Sequence, residues 1–330
     1  MNFRTIFNID PSKNKISYDT PVMLIGSCFA SEIGAKMTEG KMKVLINPSG
    51  VVYNPVSIGN IIDIILENRV FTENDLYQYK GTHLSFSHYT DFSSDVSSTT
   101  IEKINSSTRK ANGFLKHARF LFITFGTARI YRLIENGRIV SNCHKLPASF
   151  FSEEILSVEK IVSSWNEILD RLQTFNNQLR IIFTISPIRH WKDGAYGNQI
   201  SKSVLFLSID KLLEHKAVEC YFPAYELLMD DLRDYRYYAE DMLHPSQTAI
   251  DYIWNAFSGC YFDSDNIALW KEVQSITKAM NHKFLSTSQI NKTEFANNIL
   301  KRISAIEKKN PSILFNKERS YFIKIKDSLV

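Results

Sequence analysis

The chain has 330 residues, 44% of them hydrophobic and 22% charged, enough apolar material for a large core in one big domain or two. No stretch approaches the ~20 uncharged apolar residues of a membrane span, and residues 1–10 lack the apolar centre of a secretory signal. The composition therefore points to a cytoplasmic protein without a membrane partner. Cys28, Cys143, Cys220 and Cys260 form no Cys-x-x-Cys pair, which argues against a structural zinc site and a disulfide framework and for four thiols.

Short apolar runs at residues 22–25, 43–46, 120–125, 181–185 and 218–221 alternate with stretches of helical spacing at 56–66, 158–175, 202–215 and 248–257. Such alternation predicts an α/β fold with a mainly parallel sheet covered on both faces. The first run leads into Gly26-Ser27-Cys28-Phe29-Ala30 and a helix-like segment at 31–37. A small-residue turn between strand and helix exposes its side chain at the carboxyl edge of the sheet, beside unpaired helix amides. Ser27 thus stands where a nucleophile is useful, although a lone serine after glycine is more often a turn residue or helix cap.

Asn47-Pro48-Ser49-Gly50 follows the second run and Gly126-Thr127-Ala128 follows the third. Between them, residues 91–108 are Ser/Thr-rich with few apolar side chains, and an exposed connection is expected there. Asn136-Gly137, flanked by 128–133 and 138–141, reads as a hairpin turn that carries His144 back toward the polar edge of the sheet. Arg189 and His190 follow the fourth run. His144, Arg189 and His190 are all expensive to bury unpaired, and a structural role, such as hydrogen-bonding one another or a loop carbonyl, weighs about equally with substrate contact, with Arg189 the better partner for an anionic or polyhydroxyl ligand. Asn198 and Lys202 are weaker contacts of the same kind, or caps of the helix that begins there.

After the fifth run comes a dense charge run, residues 230–240, which reads as a solvated face or as a salt-bridge network bracing the segment that follows. Asp230 and Asp231 lack a third ligand at a useful spacing, so no metal and no cofactor are expected. Asp241-Met242-Leu243-His244 then supplies a carboxylate and an imidazole three residues apart. Ser, Asp and His are the parts of a hydrolase triad, and only one of Ser27 and Cys28 can face His244. Beyond Gly259 the chain is charged and helix-like. The formal net charge of +4 resides at its end, since residues 301–330 hold eight Lys/Arg and three Asp/Glu, leaving −1 for residues 1–300. Ile and Phe interleave those charges, so the tail reads as a solvated helical face and not as a nucleic-acid surface.

The pentapeptide at 26–30, with the blocks at 47–50, 124–128, 142–145, 186–190, 198–202 and 221–246, resembles the GSCFA family, grouped with the SGNH (GDSL-like) hydrolases. The likeness extends from about residue 3 into the 260s. It implies a three-layer α/β/α sandwich over residues 1–260, and the charged, helix-like stretch beyond reads as a helical basic C-terminal extension over 261–330 packed on it. It also implies a metal-independent serine esterase in which Ser27 attacks an acyl ester, His244 takes the proton and Asp241 holds the imidazole. The amides of Ser27 and Gly50 and a group from Gly126 or Thr127 would form the oxyanion hole. Thr127 departs from the asparagine usual in that third block. His144, Arg189, His190 and Asn198 would contact a small-molecule or glycan ester, such as an acetylated sugar. The same triad could serve an O-acyltransferase, and a ligand-binding protein without turnover is the alternative from another class. A direct test of geometry follows: Ser27 Oγ and His244 Nε2 should lie roughly 3 Å apart, or a little farther without substrate.

Overall fold

The computed structural model describes residues 4–281 and 289–327. Among the described residues ten strands occur in chain order: β1 (Val22–Gly26), β2 (Val44–Ile46), β3 (Tyr77–Tyr79), β4 (Thr82–Leu84), β5 (Phe120–Phe125), β6 (Arg129–Leu133), β7 (Ile139–Val140), β8 (Phe151–Ile155), β9 (Arg180–Ile185) and β10 (Val218–Phe222). The helices that matter below are α1 (Cys28–Glu39), α2 (Pro55–Leu66), α3 (Ser97–Leu115), α4 (Val158–Phe175), α5 (Gly194–Leu212), α6 (Ala224–Glu226), α7 (Gln247–Tyr261), α8 (Ser264–Ala279), α9 (Gln289–Lys309) and α10 (Asn316–Asp327). Among the described residues, no helix is long and apolar enough to cross a membrane.

All five apolar runs become strands of one parallel sheet, ordered β10-β9-β5-β1-β2. β1, β5 and most of β9 are buried throughout, as strands covered on both faces must be. The period of two separates the faces. Met23, Ile25, Leu121, Ile123, Phe125, Ile181 and Phe183 join the core cluster that includes Ile61, Trp165, Leu169 and Leu205 of α2, α4 and α5. Phe122 and Phe222 turn the other way, toward Phe257 of α7, with ring centroids at 5.0 and 5.4 Å. The expected sandwich of helices, sheet and helices is therefore present.

Counting only the strands of this sheet, the order is 2-1-3-4-5. In a doubly wound sheet of this order the crevice for ligands opens where the winding reverses, beyond the carboxyl ends of the strands. That point lies between β1 and β5, and the two strands end in Gly26-Ser27 and Gly126-Thr127.

Three local expectations change. Residues 91–108 do not form an open connection, because α3 begins at Ser97. Thr100, Ile104, Thr108, Ala111 and Leu115 are buried along one face, and their spacing of three to four is helical even though two of them are threonines. α5 starts at Gly194, eight residues before the expected 202. The hairpin at Asn136-Gly137 forms, with Gly137 at φ +72° and β6 paired antiparallel to β7, but β6 also pairs with β8 to make a three-stranded sheet.

The chain divides into two compact units. The first holds residues 1–9, 21–34 and 44–257, and the second holds 10–20, 35–43 and 258–330. In the second unit, Trp270 of α8 donates its indole N–H to the Lys36 carbonyl at 2.9 Å, and Lys41 pairs with buried Glu318 of α10 at 2.9 Å. Ile303, Ile306 and Phe322 are buried, while Lys301, Lys308, Lys309, Lys317, Lys324 and Lys326 are exposed, the solvated basic face expected of the tail.

Candidate functional site

Backbone constraints shape the Ser27 turn. Gly26 has φ +143°, and a Cβ there would lie 2.2 Å from the Thr124 carbonyl oxygen, so any other residue would push β1 away from β5. Asn47, at φ +41° just after β2, fastens the turn from the other side. Its Oδ1 accepts the Gly26 N–H at 2.8 Å and its Nδ2 donates to Ser31 Oγ at 2.9 Å. Sequence reasoning placed Asn47 in a block but gave it no role. The one available signal was an asparagine, tolerant of positive φ, directly after a strand.

Ser27 is only 2% exposed, and its Oγ has no hydrogen-bond partner among the described residues. Buried hydroxyls are normally paired, and this one is not. The expected Ser27–His244 hydrogen bond is consequently absent from this structure.

The expected oxyanion donors are also engaged elsewhere. The Ser27 N–H reaches the Thr124 carbonyl at 3.3 Å, Gly50 donates to Asn47 at 2.8 Å, and Gly126 and Thr127 both donate to the Tyr53 carbonyl at 2.7 and 3.1 Å. Thr127 Oγ1 lies 2.9 Å from Ser201 Oγ and accepts the Arg129 N–H. These bonds close the loops at the sheet edge, and each uses the N–H that an oxyanion would need. Two donors are not spent on these loops. The Cys28 N–H is the first amide of α1 and has no intrahelical acceptor. Asn198, 1% exposed, accepts the His190 N–H on Oδ1 at 2.9 Å, while its Nδ2 is buried without an acceptor.

Asn198 belongs to a polar ladder on α5. One turn on, Ser201 Oγ accepts the Ala128 N–H at 2.8 Å. Lys202, 1% exposed, donates to the carbonyls of Gly126 at 2.8 Å and Ser186 at 2.7 Å. It ties together the ends of β5 and β9. Burial, helped by Arg189, lowers the amine to about 7. His190 stands edge-on to Tyr53 with centroids 5.4 Å apart, and burial, then the Lys202 charge, lowers its imidazole to about 4. The Tyr53 hydroxyl in turn lies 3.8 Å from Cys28 Sγ. His190, Asn198 and the Cys28 edge of the turn are thus linked through Tyr53.

Of the two roles weighed for His144, its contacts are those of the structural one. Its Nε2 is 3.0 Å from the Ser85 carbonyl and its Nδ1 is 3.5 Å from Thr90 Oγ1, so its ring is spent on the segment after β4. Burial lowers its pKa, against the raising effect of the Ser85 and His88 backbone bonds. Its neighbour His88, 1% exposed, holds Ser85 Oγ at 2.9 Å, and burial lowers it to about 3.

Asp241 and His244 meet as the sequence implies. Asp241 Oδ2 is 2.5 Å from His244 Nδ1, and Oδ1 accepts the N–H groups of Leu243 and His244, both at 2.9 Å. The His244 amide, the Leu243 amide and the imidazole, in that order, hold this carboxyl down at about 2. Oriented through Nδ1, the ring leaves Nε2 for another partner. The pair is half exposed, with side-chain exposures of 48% and 51%. From the preceding charge run, Asp231 is buried and bonds Arg4 at 2.7 Å and the Tyr252 hydroxyl at 2.5 Å, whereas Asp234 pairs with Arg236 at the surface. Arg189 leaves Nε buried and unpartnered and lines a cleft together with Asp241.

Comparison with known proteins adds the following. No curated protein matches the chain. Similar solved structures include a family 3 carbohydrate esterase from Talaromyces cellulolyticus, at 10% identity and TM-score 0.34 over 77% of this chain and 99% of that one. Another is the family 3 carbohydrate esterase of Clostridium thermocellum, at 10% identity and TM-score 0.34 over 78% and 99%. A third is an acetyl xylan esterase from the rumen bacterium Butyrivibrio proteoclasticus, at 12% identity and TM-score 0.36 over 75% and 67%. The GSCFA family model matches residues 21–257, a span that includes the Ser27 turn, Asn47, the α5 ladder and the Asp241–His244 pair; the chain belongs to the GSCFA family.

Proposed function

We propose that this protein is a serine esterase, with Ser27 as nucleophile, His244 as general base and acid, and Asp241 as the group that orients and charge-stabilises His244. The observation that carries this reading is the Asp241–His244 pair, bonded at 2.5 Å through Nδ1, on a chain whose Ser27 hydroxyl is buried and unpaired at the reversal point of the sheet. Ser27 Oγ attacks the acyl carbon while its proton passes to His244 Nε2. The same nitrogen then protonates the departing alkoxide, and water, activated in turn, releases the acid and restores Ser27. The contact between Ser27 and His244 is made when substrate seats, since catalytic hydrogen bonds often tighten only in the complex. The Cys28 N–H and Asn198 Nδ2 are the donors left to meet the oxyanion. An acyl ester of a glycan, acetyl esters included, is the substrate class proposed.

The committed amides of Gly50, Gly126 and Thr127 favour a second reading, a binding protein on the same fold that does not turn over. Labelling with a fluorophosphonate separates the two. A stoichiometric adduct on Ser27 that vanishes in His244→Ala supports the esterase. An open, folded protein with no adduct on Ser27 sinks it, and an adduct on Cys28 moves the chemistry to the thiol. If esterase activity appears, adding a sugar acceptor and following acyl transfer distinguishes hydrolase from O-acyltransferase.

A further inference from the structure

A cleft of about 430 Å³ lies beside Asp241, in the size range of small-ligand sites, with Arg189, Trp191, Arg233, Tyr235 and Tyr238 in its walls. Its charges are unevenly satisfied. Asp234 is paired with Arg236 at 3.2 Å and also accepts that residue's N–H at 2.9 Å, and Asp241 is taken by His244. Neither Arg189 nor Arg233 has a carboxylate partner among the described residues, and Arg189 Nε is buried with no acceptor at all. Two guanidinium groups are thus left without a carboxylate of their own, while Asp234 is engaged by Arg236 and the ionised Asp241 by His244. The field reaches across the cleft: burial pushes the Tyr238 phenol up, and the Arg189 charge opposes that rise.

The apolar part of the cleft is aromatic. Trp191 is 52% exposed and Tyr235 75% exposed, with the Arg189 guanidinium 5.5 Å from the Trp191 ring and Tyr235 tilted against Tyr238 at 5.9 Å. Flat rings that the fold leaves in solvent suit the C–H faces of a pyranose, while a planar guanidinium suits a carboxylate or phosphate through paired N–H donors. Arg233 sits at φ +27°, an unfavourable backbone for a side chain, at the wall of this cleft.

We propose that the cleft binds a saccharide carrying an anionic group, carboxylate or phosphate, with Arg189 and Arg233 holding the charge and Trp191 and Tyr235 stacking on the ring. This deepens the esterase reading by naming a negatively charged substrate, and it rests on that reading only for what is done to the ligand. The test is a binding titration by tryptophan fluorescence and calorimetry on Ser27→Ala protein, so that turnover plays no part. The probes are a glucuronic-acid-containing disaccharide, glucose phosphate and neutral cellobiose. The anionic sugars should bind at least ~10-fold tighter than cellobiose, a difference of the size one charge-assisted contact provides, and added salt should erode the difference. Uronate above phosphate identifies a carboxylate ligand, and the reverse a phosphate. Arg233→Gln, on an exposed side chain, and Arg189→Gln should each remove most of the preference, whereas Trp191→Ala should weaken all three sugars alike.

Equal affinity for the neutral and anionic sugars, no binding of any probe up to millimolar concentration, or an unchanged preference in the folded Arg233→Gln variant overturns the proposal. A Ser27 adduct with fluorophosphonate alongside equal sugar affinities would remove the anionic cleft and leave the esterase standing. Anion-selective binding without any adduct would do the opposite.

Discussion

The turn that carries Ser27 and the segment that carries Asp241 and His244 are built in contrasting ways. Around Ser27 most neighbouring backbone groups are committed, Gly26 to Asn47, Ser27 to Thr124 and Val52 to Gly26, with the Cys28 N–H left over. The serine is buried inside a frame that includes the two most enclosed strands of the sheet. Asp241 and His244 are half exposed, lie on a stretch with Met242 at φ +57°, and owe their geometry mainly to bonds within four residues. On the proposed mechanism the nucleophile is the enclosed partner and the base the exposed one.

Breaking the rigid side should give the largest effect on turnover and almost none on folding. Ser27→Ala removes the nucleophile, and ester hydrolysis should fall by roughly 10³-fold or more. Its Oγ has no partner to lose, so the melting temperature should stay level or rise slightly. Turnover of an activated acetyl ester and a thermal melt on the same sample check both halves. A large loss of stability would mean that Ser27 is a structural residue.

Breaking the exposed side should cost nearly as much activity. In Asp241→Asn the side chain can still meet the Leu243 and His244 amides, but it no longer holds His244 with Nδ1 protonated and Nε2 basic. Turnover should drop ~10²–10⁴-fold with KM for the ester little changed. An Asp241→Asn variant as active as the parent would show that the pair at 2.5 Å is only a loop fastening.

The frame can be loosened without touching either side. Lys202→Met takes the only amine from the carbonyls of Gly126 and Ser186, and two buried acceptors left bare should cost ~1–3 kcal/mol each at most. The pH dependence identifies the cause. Burial puts the folded amine at about 7 against 10.5 unfolded, so between those values the unfolded chain binds the extra proton and stability rises with pH. Denaturant melts of parent and variant from pH 7 to 9 should show that rise in the parent and not in Lys202→Met.

The sheet was readable in the sequence because buried parallel strands announce themselves as continuous apolar runs, and residues 22–25, 120–125 and 181–185 did so without ambiguity. α3 was not, because its buried face uses Thr100 and Thr108, whose methyl groups pack while their hydroxyls count as polar. The meeting of Asp241 with His244 was legible since three residues separate them. The fate of the amides at Gly50, Gly126 and Thr127 was not, because their acceptors, Asn47 and Tyr53, are chosen by loop geometry that no residue type encodes. Burial depth escaped in the same way: Lys202 and His88 look like surface residues until the sheet and the segment after β4 close over them.

The smallest predicted effect sharpens the contrast through pH. His88 and His190 are buried as neutral rings, at about 3 and about 4 when folded against 6.5 when unfolded. Above 6.5 neither state binds the proton and the two histidines are neutral to stability. Below 6.5 the unfolded chain takes protons that the folded chain refuses, so stability falls as pH drops toward those folded values. Each histidine contributes a slope approaching ~1.4 kcal/mol per pH unit. His88→Gln keeps a hydrogen-bonding group for Ser85 and removes one of the two slopes, so its melts at pH 5 and pH 7 should lie closer together than those of the parent. Because the exposed Asp241 carboxyl is held near 2, it stays ionised across that range, and acid between pH 6.5 and 5 should loosen the segment around His88 while the Asp241 side of the pair with His244 keeps its charge. Hydrogen exchange that instead opened residues 241–244 first would place the weak point of the molecule on that exposed segment and not beneath the paired strands β3 and β4.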